Sequence, residues 1–215
     1  VGLLNASSIA TAVIVLVGGA IAAPVLIRGF VRRGSGVKYE ENFMIQRAPQ
    51  YASLANIGIC TVAFMSFNGH INFPPFNSMI FAMSDDPTAR MISWLGVPVL
   101  VSGMVFMVGG WYSLGECFTT DAEVLNDHKV KNTGLLRYVM HPAYSGIIQC
   151  LLGASISSTS LVAVAWCLGL VAPLWLRRAK YEEALLIENL GEPYKEYAEQ
   201  TKWRRLIPTF IPIGV

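Results

Sequence analysis

Four long runs of this chain contain no charged residue: 1–27, 48–84, 91–115 and 143–176. No other feature restricts the fold so tightly. A helix needs about 20 predominantly apolar residues to cross roughly 30 Å of hydrocarbon, and buried helices of soluble cores are usually shorter. Each run is long enough to cross, so the chain reads as a membrane protein. Composition points the same way. Charged residues make up 14% of the 215, against about a quarter in soluble domains, and mean hydropathy is +0.48.

The placement of charge orients the chain. Of the 16 Lys and Arg residues, five lie in 28–47, three in 116–142 and seven in 177–215; Arg90 alone stands between the second and third runs. If successive runs cross the bilayer, 15 of the 16 fall on one side. The positive-inside rule makes that side cytoplasmic, with the N-terminus outside and the C-terminus inside. These charges flank spans and form no continuous stripe, which argues against nucleic acid as a partner. Cys60, Cys117, Cys150 and Cys167 are scattered, with no CxxC pair. They read as free thiols, and no metal site is expected.

The expected fold class is all-α: a polytopic membrane helix bundle forming one domain over 1–215. About five transmembrane helices are expected, followed by a C-terminal amphipathic cytoplasmic helix. Residues 1–113 supply three spans, near 3–27, 50–69 and 91–113. The first lacks a basic n-region and is too long for a signal peptide, so it is kept as a helix. Its GGAIAA segment offers a smooth packing face. The GHINFPPFN segment after the second span suits an outer interfacial loop. The run 143–176 divides near SISSTS into two helices of about 15 residues, each rising roughly 23 Å, and so into a short tilted hairpin. From Arg177 the tail is polar, with Tyr181, Leu185, Leu186 and Leu190 on one helical face. Gly191 ends that helix as a cap, and Pro193 opens another. The polar segment 114–142 and the tail then meet on the basic side, where the chemistry of 114–215 is expected.

Few residues there invite chemistry. His141-Pro142 stands at the threshold of the fourth apolar run, where Pro is tolerated in a helix's first turn. Gly134 permits a left-handed turn before LLRY. Gly146, on the first turn after His-Pro, permits a close backbone approach. Arg178 and Glu182 are four apart and share a helix face that continues through Leu185 and Leu186. A charge pair on an apolar face implies a polar ligand nearby. Glu183 and Lys180 are expected on the solvated face. The sequence contains no GxSxG, HExxH, GxxxxGK or GxGxxG.

Three blocks, LGECFT, DHKVKNTGLLRYVMHPAYSG and RRAKYEEALLIENLGEPYKEYAEQTKWRRLIP, resemble the isoprenylcysteine carboxyl methyltransferase family, whose relatives include the phospholipid N-methyltransferases. The resemblance covers about residues 111–210. It implies S-adenosyl-L-methionine as cofactor, in a cytoplasmic pocket closed by the C-terminal helix. By position, the family's cofactor contacts fall on His128, Lys129, Val130 and Lys131, on Leu136, on His141, Pro142, Ala143 and Tyr144, and on Glu182. Arg178 falls where the family's arginine faces the substrate, and His141 and Arg178 are the candidate catalytic residues. One position departs from the pattern. Met140 stands where these enzymes have an arginine just before His-Pro, and Arg137 is the nearest cation that could replace it.

What the resemblance implies is a membrane methyltransferase. Its partners would be membrane lipid and a lipophilic small molecule or prenylated peptide. A prenylcysteine-like carboxylate would need no base, only alignment and desolvation, and Arg178 could hold it through two parallel N–H bonds. An amine acceptor on the same fold would want a base such as His141 or Glu183. A third reading is a non-catalytic membrane protein. Endoplasmic reticulum and bacterial inner membrane both suit such a chain.

Overall fold

The computed structural model describes residues 5–36, 42–71, 86–126, 128–201 and 206. Most of the expected outer loop, with its Phe and Pro residues, lies outside these, as do Lys38, Asp85 and most of the KWRRLIP tail. Among the described residues the fold is all-helical. The helices are α1 (Ala6–Val31), α2 (Phe43–Gln46), α3 (Ala48–Phe67), α4 (Pro87–Leu114), α5 (Pro142–Ser157), α6 (Leu161–Trp166), α7 (Ala172–Leu190) and α8 (Glu192–Gln200). Asp86 caps α4 by accepting from the Thr88 and Ala89 amides, and Ser160 caps α6 through Ala163 N–H.

Five apolar segments are thus present. Three are long and apolar enough to cross a membrane: Ala6–Val31, Pro87–Cys117 and Leu161–Leu190. Their outward faces carry bare aliphatic side chains, including Leu16, Val17, Leu95, Val105 and Leu161. Exposed apolar area on this scale belongs in lipid, and the protein is an integral membrane protein. The expected hairpin forms, but its second arm is not short. α6 passes through a π turn at Cys167–Val171 directly into α7, so the fifth span and the tail helix are one continuous helix. Pro173 explains the widened turn. It lacks an N–H, and its ring would collide with the carbonyl four residues back in a regular α-turn.

α4 and α5 form the closest pair. The glycines of α4 (Gly96, Gly103, Gly110) and of α5 (Gly146, Gly153) recur every seven residues, and each faces the other helix. A Cβ on Gly146 would sit 2.1 Å from Met107 N, and one on Gly103 would sit 2.4 Å from Cys150 N. Backbone lies against backbone here, which is how apolar helices associate where no hydrophobic effect drives them. The GGAIAA face of α1 packs less tightly. Gly18 meets the Met104 side chain, and Gly19 meets nothing.

The two ends of the bundle differ. At one end Asn68 binds Asn5 N and Ser8 Oγ, while Ser93 joins Ser7 Oγ to Ser157 O. The serine-rich hairpin tip belongs to this end, buried by its neighbours. At the other end the 118–125 segment is tied to α1, α2 and α3. Asp121 pairs with Arg33 and Arg47 at 2.9 Å each. Glu123 accepts from Gly34 N and Gly36 N, and Gln46 makes two bonds to the Ala122 backbone. α7, α8 and the start of α5 reach this second end, so the polar segment 114–142 and the tail do meet.

Candidate active site

A cavity of about 230 Å³ opens where they meet. Its walls come from the 117–131 loop, the beginning of α5, and the inward faces of α7 and α8, with Leu26 and Gln50 contributed by α1 and α3. His128, Lys129, Val130, Lys131, Leu136, His141, Pro142, Ala143, Tyr144, Arg178 and Glu182 all line it. Residues spread over more than fifty positions are thereby brought to one hollow.

The local sequence accounts for this convergence. Gly134 adopts φ +58° and starts the 3₁₀ turn Gly134–Arg137, which buries Leu136 and leaves Arg137 exposed. His141 is the residue just before α5, and Pro142 occupies the first helical position. Three residues on, Tyr144 faces the same way as His141, and the two rings stack at 5.6 Å and 8°. Tyr144 also packs on Trp175, with ring centroids 4.8 Å apart.

α7 meets this segment with two adjacent carboxylates. Tyr144 O–H donates to Glu182 Oε1, and Glu183 Oε1 lies 2.9 Å from His141 Nε2. Neighbours on a helix point about 100° apart, so one helix grips two side chains of the other with consecutive residues. Glu183 was expected in solvent. It is instead 2% exposed, because the N-terminal turn of α5 covers that side of α7. Lys180, one turn earlier, is exposed as expected.

Arg178 is buried to 3% side-chain exposure. Its Nε lies 3.1 Å from Tyr144 Oη and 3.2 Å from Glu182 Oε1, its Nη1 3.3 Å from Gln46 O, and its Nη2 3.0 Å from Thr120 O. The guanidinium also lies 5.4 Å from the Trp175 ring. A guanidinium has five N–H donors, so one on each terminal nitrogen remains for a ligand. The other donors anchor α7 to α5, α2 and the 118–125 loop. On Glu182 only Oε1 carries hydrogen bonds among the described residues; Oε2 is available to the cavity.

Met140, in place of the expected arginine, is buried against Tyr194, Tyr197 and Ala198 and lines the cavity. Arg137 does not replace it, since its side chain is on the exposed side of the 3₁₀ turn. Tyr197 fastens α8 over the cavity by donating to Leu136 O at 2.7 Å. The sequence reading overlooked Tyr194 and Tyr197. Their spacing of three on a helix marks an inward face, and the signal was present.

The sequence profile of the isoprenylcysteine carboxyl methyltransferase family matches residues 94–188, from within α4 to near the end of α7. Over this segment the chain is similar to that family. It carries the HPxY turn and both carboxylates of α7. Named enzymes are similar to it. A probable protein-S-isoprenylcysteine O-methyltransferase of Oryza sativa subsp. indica is 26% identical over 117 residues, 51% of this chain and 58% of the relative. Protein-S-isoprenylcysteine O-methyltransferase B of Arabidopsis thaliana is 26% identical over 129 residues, 56% and 59% of the two chains. The enzyme of Schizosaccharomyces pombe is 26% identical over 150 residues, 58% of each. The chain thus spans somewhat over half the length of the curated relatives it matches.

Proposed function

We propose that this protein is an S-adenosyl-L-methionine-dependent methyltransferase of the membrane, acting on a prenylcysteine-like carboxylate. The observation that carries this reading is the joining of the HPxY turn to α7 through Glu182 and Glu183 at the edge of one cavity. The cavity fits a cationic sulfonium cofactor. It offers an available carboxylate oxygen on Glu182, and the aromatic rings of Tyr144 and Trp175 line it, groups favourable to positive charge. When bound, the cofactor supplies an electrophilic methyl group. The chain supplies binding and orientation: Glu182 holds a cationic or polar part of the cofactor, and the 128–131 segment, Leu136 and the 141–144 turn form its walls. Arg178 presents its two remaining N–H groups to the acceptor. Domain roles follow the sequence: 1–113 supplies spans, and 114–215 the cofactor-binding part on the cytoplasmic side.

A second reading keeps the cofactor and changes the acceptor to a phospholipid or other lipophilic amine or thiol. Two observations favour it. Met140 makes apolar what is an arginine in the carboxyl methyltransferases, and Glu182 already offsets the charge of Arg178. Labelled S-adenosyl-L-methionine offered with a farnesylcysteine analogue or with phosphatidylethanolamine separates the two. The first reading expects label in the farnesylcysteine ester; label in the phospholipid alone overturns it in favour of the second.

A further inference from the structure

Glu183 joins the HPxY turn to α7 but touches neither cofactor nor acceptor in the function proposed above, and it is among the most deeply buried charged residues near the cavity. A carboxylate at that depth is costly unless hydrogen-bonded. Its Oε1 stands 2.9 Å from His141 Nε2. An ionised carboxylate only accepts, so the shared proton belongs to Nε2. The imidazole has little freedom to turn away. The main chain of His141 is held where its carbonyl accepts from Ser145 N and Ser145 Oγ, at 3.0 Å each, and the ring itself lies parallel to Tyr144. Tyr144 is fixed in turn by Glu182 and Arg178. A neutral imidazole with its proton on Nε2 carries a lone pair on Nδ1. Among the described residues Nδ1 has no hydrogen-bond partner, and His141 lines the cavity.

We propose that Glu183 is a positioning residue that keeps the His141 proton on Nε2, so that Nδ1 accepts a hydrogen bond from an N–H or O–H group of the cavity's ligand. The identity of that ligand rests on the methyltransferase reading; the position of the proton does not. The consequence is selectivity. A lone pair at Nδ1 favours a protic group at that point of the cavity, on the cofactor where the acceptor is a carboxylate, and on the cofactor or the acceptor where the acceptor is an amine. Arg178 and Glu182 on α7, and Asp121, Glu123, Lys129 and Lys131 on the loop, are the other charges around the cavity. Arg178 and Glu182 face each other at 3.2 Å.

Nitrogen-15 NMR of the full chain, labelled at histidine and held in lipid nanodiscs at mildly alkaline pH, reads the tautomer directly. The chain has 3 histidines, and the His141 signals are assigned by their loss in His141→Asn. The expected spectrum has an unprotonated Nδ1 and a protonated Nε2. In Glu183→Gln the amide can donate as well as accept, so a fraction with the proton on Nδ1 should emerge, and Glu183→Asp should restore the original form. Adding S-adenosylhomocysteine, or in a separate arm phosphatidylethanolamine, should move Nδ1 upfield; the arm that does so names the source of the protic group. A wild-type His141 protonated on Nδ1 or on both nitrogens overturns the proposal, with no variant needed. An Nδ1 unmoved in both arms overturns its ligand half. Calorimetric binding of S-adenosylhomocysteine by the same samples tests the methyltransferase reading separately: protein that binds none but keeps the Nε2 tautomer loses that reading and retains the positioning role.

Discussion

Arg178 shows how one side chain can be structural and functional together. Its partners are a phenol, a carboxylate and two main-chain carbonyls drawn from α2, α5, α7 and the 118–125 loop. Removing one member of a buried charge pair leaves the other unpaired, at a cost of about 3–5 kcal/mol. Arg178→Ala should therefore lower stability by about that amount as well as stop methyl transfer, and thermal unfolding in detergent measures it. Arg178→Lys keeps a charge but cannot match the fork, so the folded protein should survive with transfer strongly reduced. Full activity in that variant would remove Arg178 from substrate binding. The pairing of Arg178 with Glu182 was legible in the sequence, because four residues on a helix fix a shared face whatever the surroundings. The burial of Glu183 was not. Whether that flank of α7 meets water or α5 depends on where a segment more than forty positions away returns.

At the level of elements, α4 and α5 test how close two backbones must lie. Their glycines stand in the sequence at sevenfold spacing, but the spacing alone gives no partner or register. Gly146→Ala would place a methyl 2.1 Å from Met107 N and 2.6 Å from Gly103 O, atoms that cannot rotate aside. Overpacking of this kind costs typically about 1–3 kcal/mol. Gly58→Ala on α3 meets nothing within 4 Å and should gain up to about 1 kcal/mol from helix propensity. Unfolding midpoints of the two variants should move in opposite directions. α8 offers a finer test. Tyr197→Phe removes the bond to Leu136 O, worth about 0.5–1.5 kcal/mol. It should leave the bundle intact while making α8 more sensitive to limited proteolysis, an effect that S-adenosylhomocysteine reverses. The boundaries of α8 were legible because Gly191 and Pro193 are local signals. The continuity of α6 with α7 was not, since a run of polar residues after Arg177 looks like a break, yet the helix carries on through the π turn.

For the molecule as a whole, the bundle separates a hydrogen-bonded serine and asparagine end from a basic end that holds the cavity. His70 follows α3 at the first end, and Lys180 is exposed on α7 at the second. With the basic end cytoplasmic, a membrane-impermeant maleimide on sealed right-side-out vesicles should label His70→Cys, and should label Lys180→Cys only after permeabilisation; the reverse pattern would invert the orientation. The class of fold and the meeting of 114–142 with the tail followed from uncharged runs and basic flanks, because lipid penalises charge so heavily that few arrangements remain. Everything functional then depends on the cavity between the HPxY turn and α7 receiving the methyl donor. The direct measurement is titration calorimetry of S-adenosylhomocysteine into the purified protein and into Glu182→Ala. The expected result is saturable one-to-one binding by the first and its loss in the second; binding of equal strength in both would contradict the assignment of this cavity.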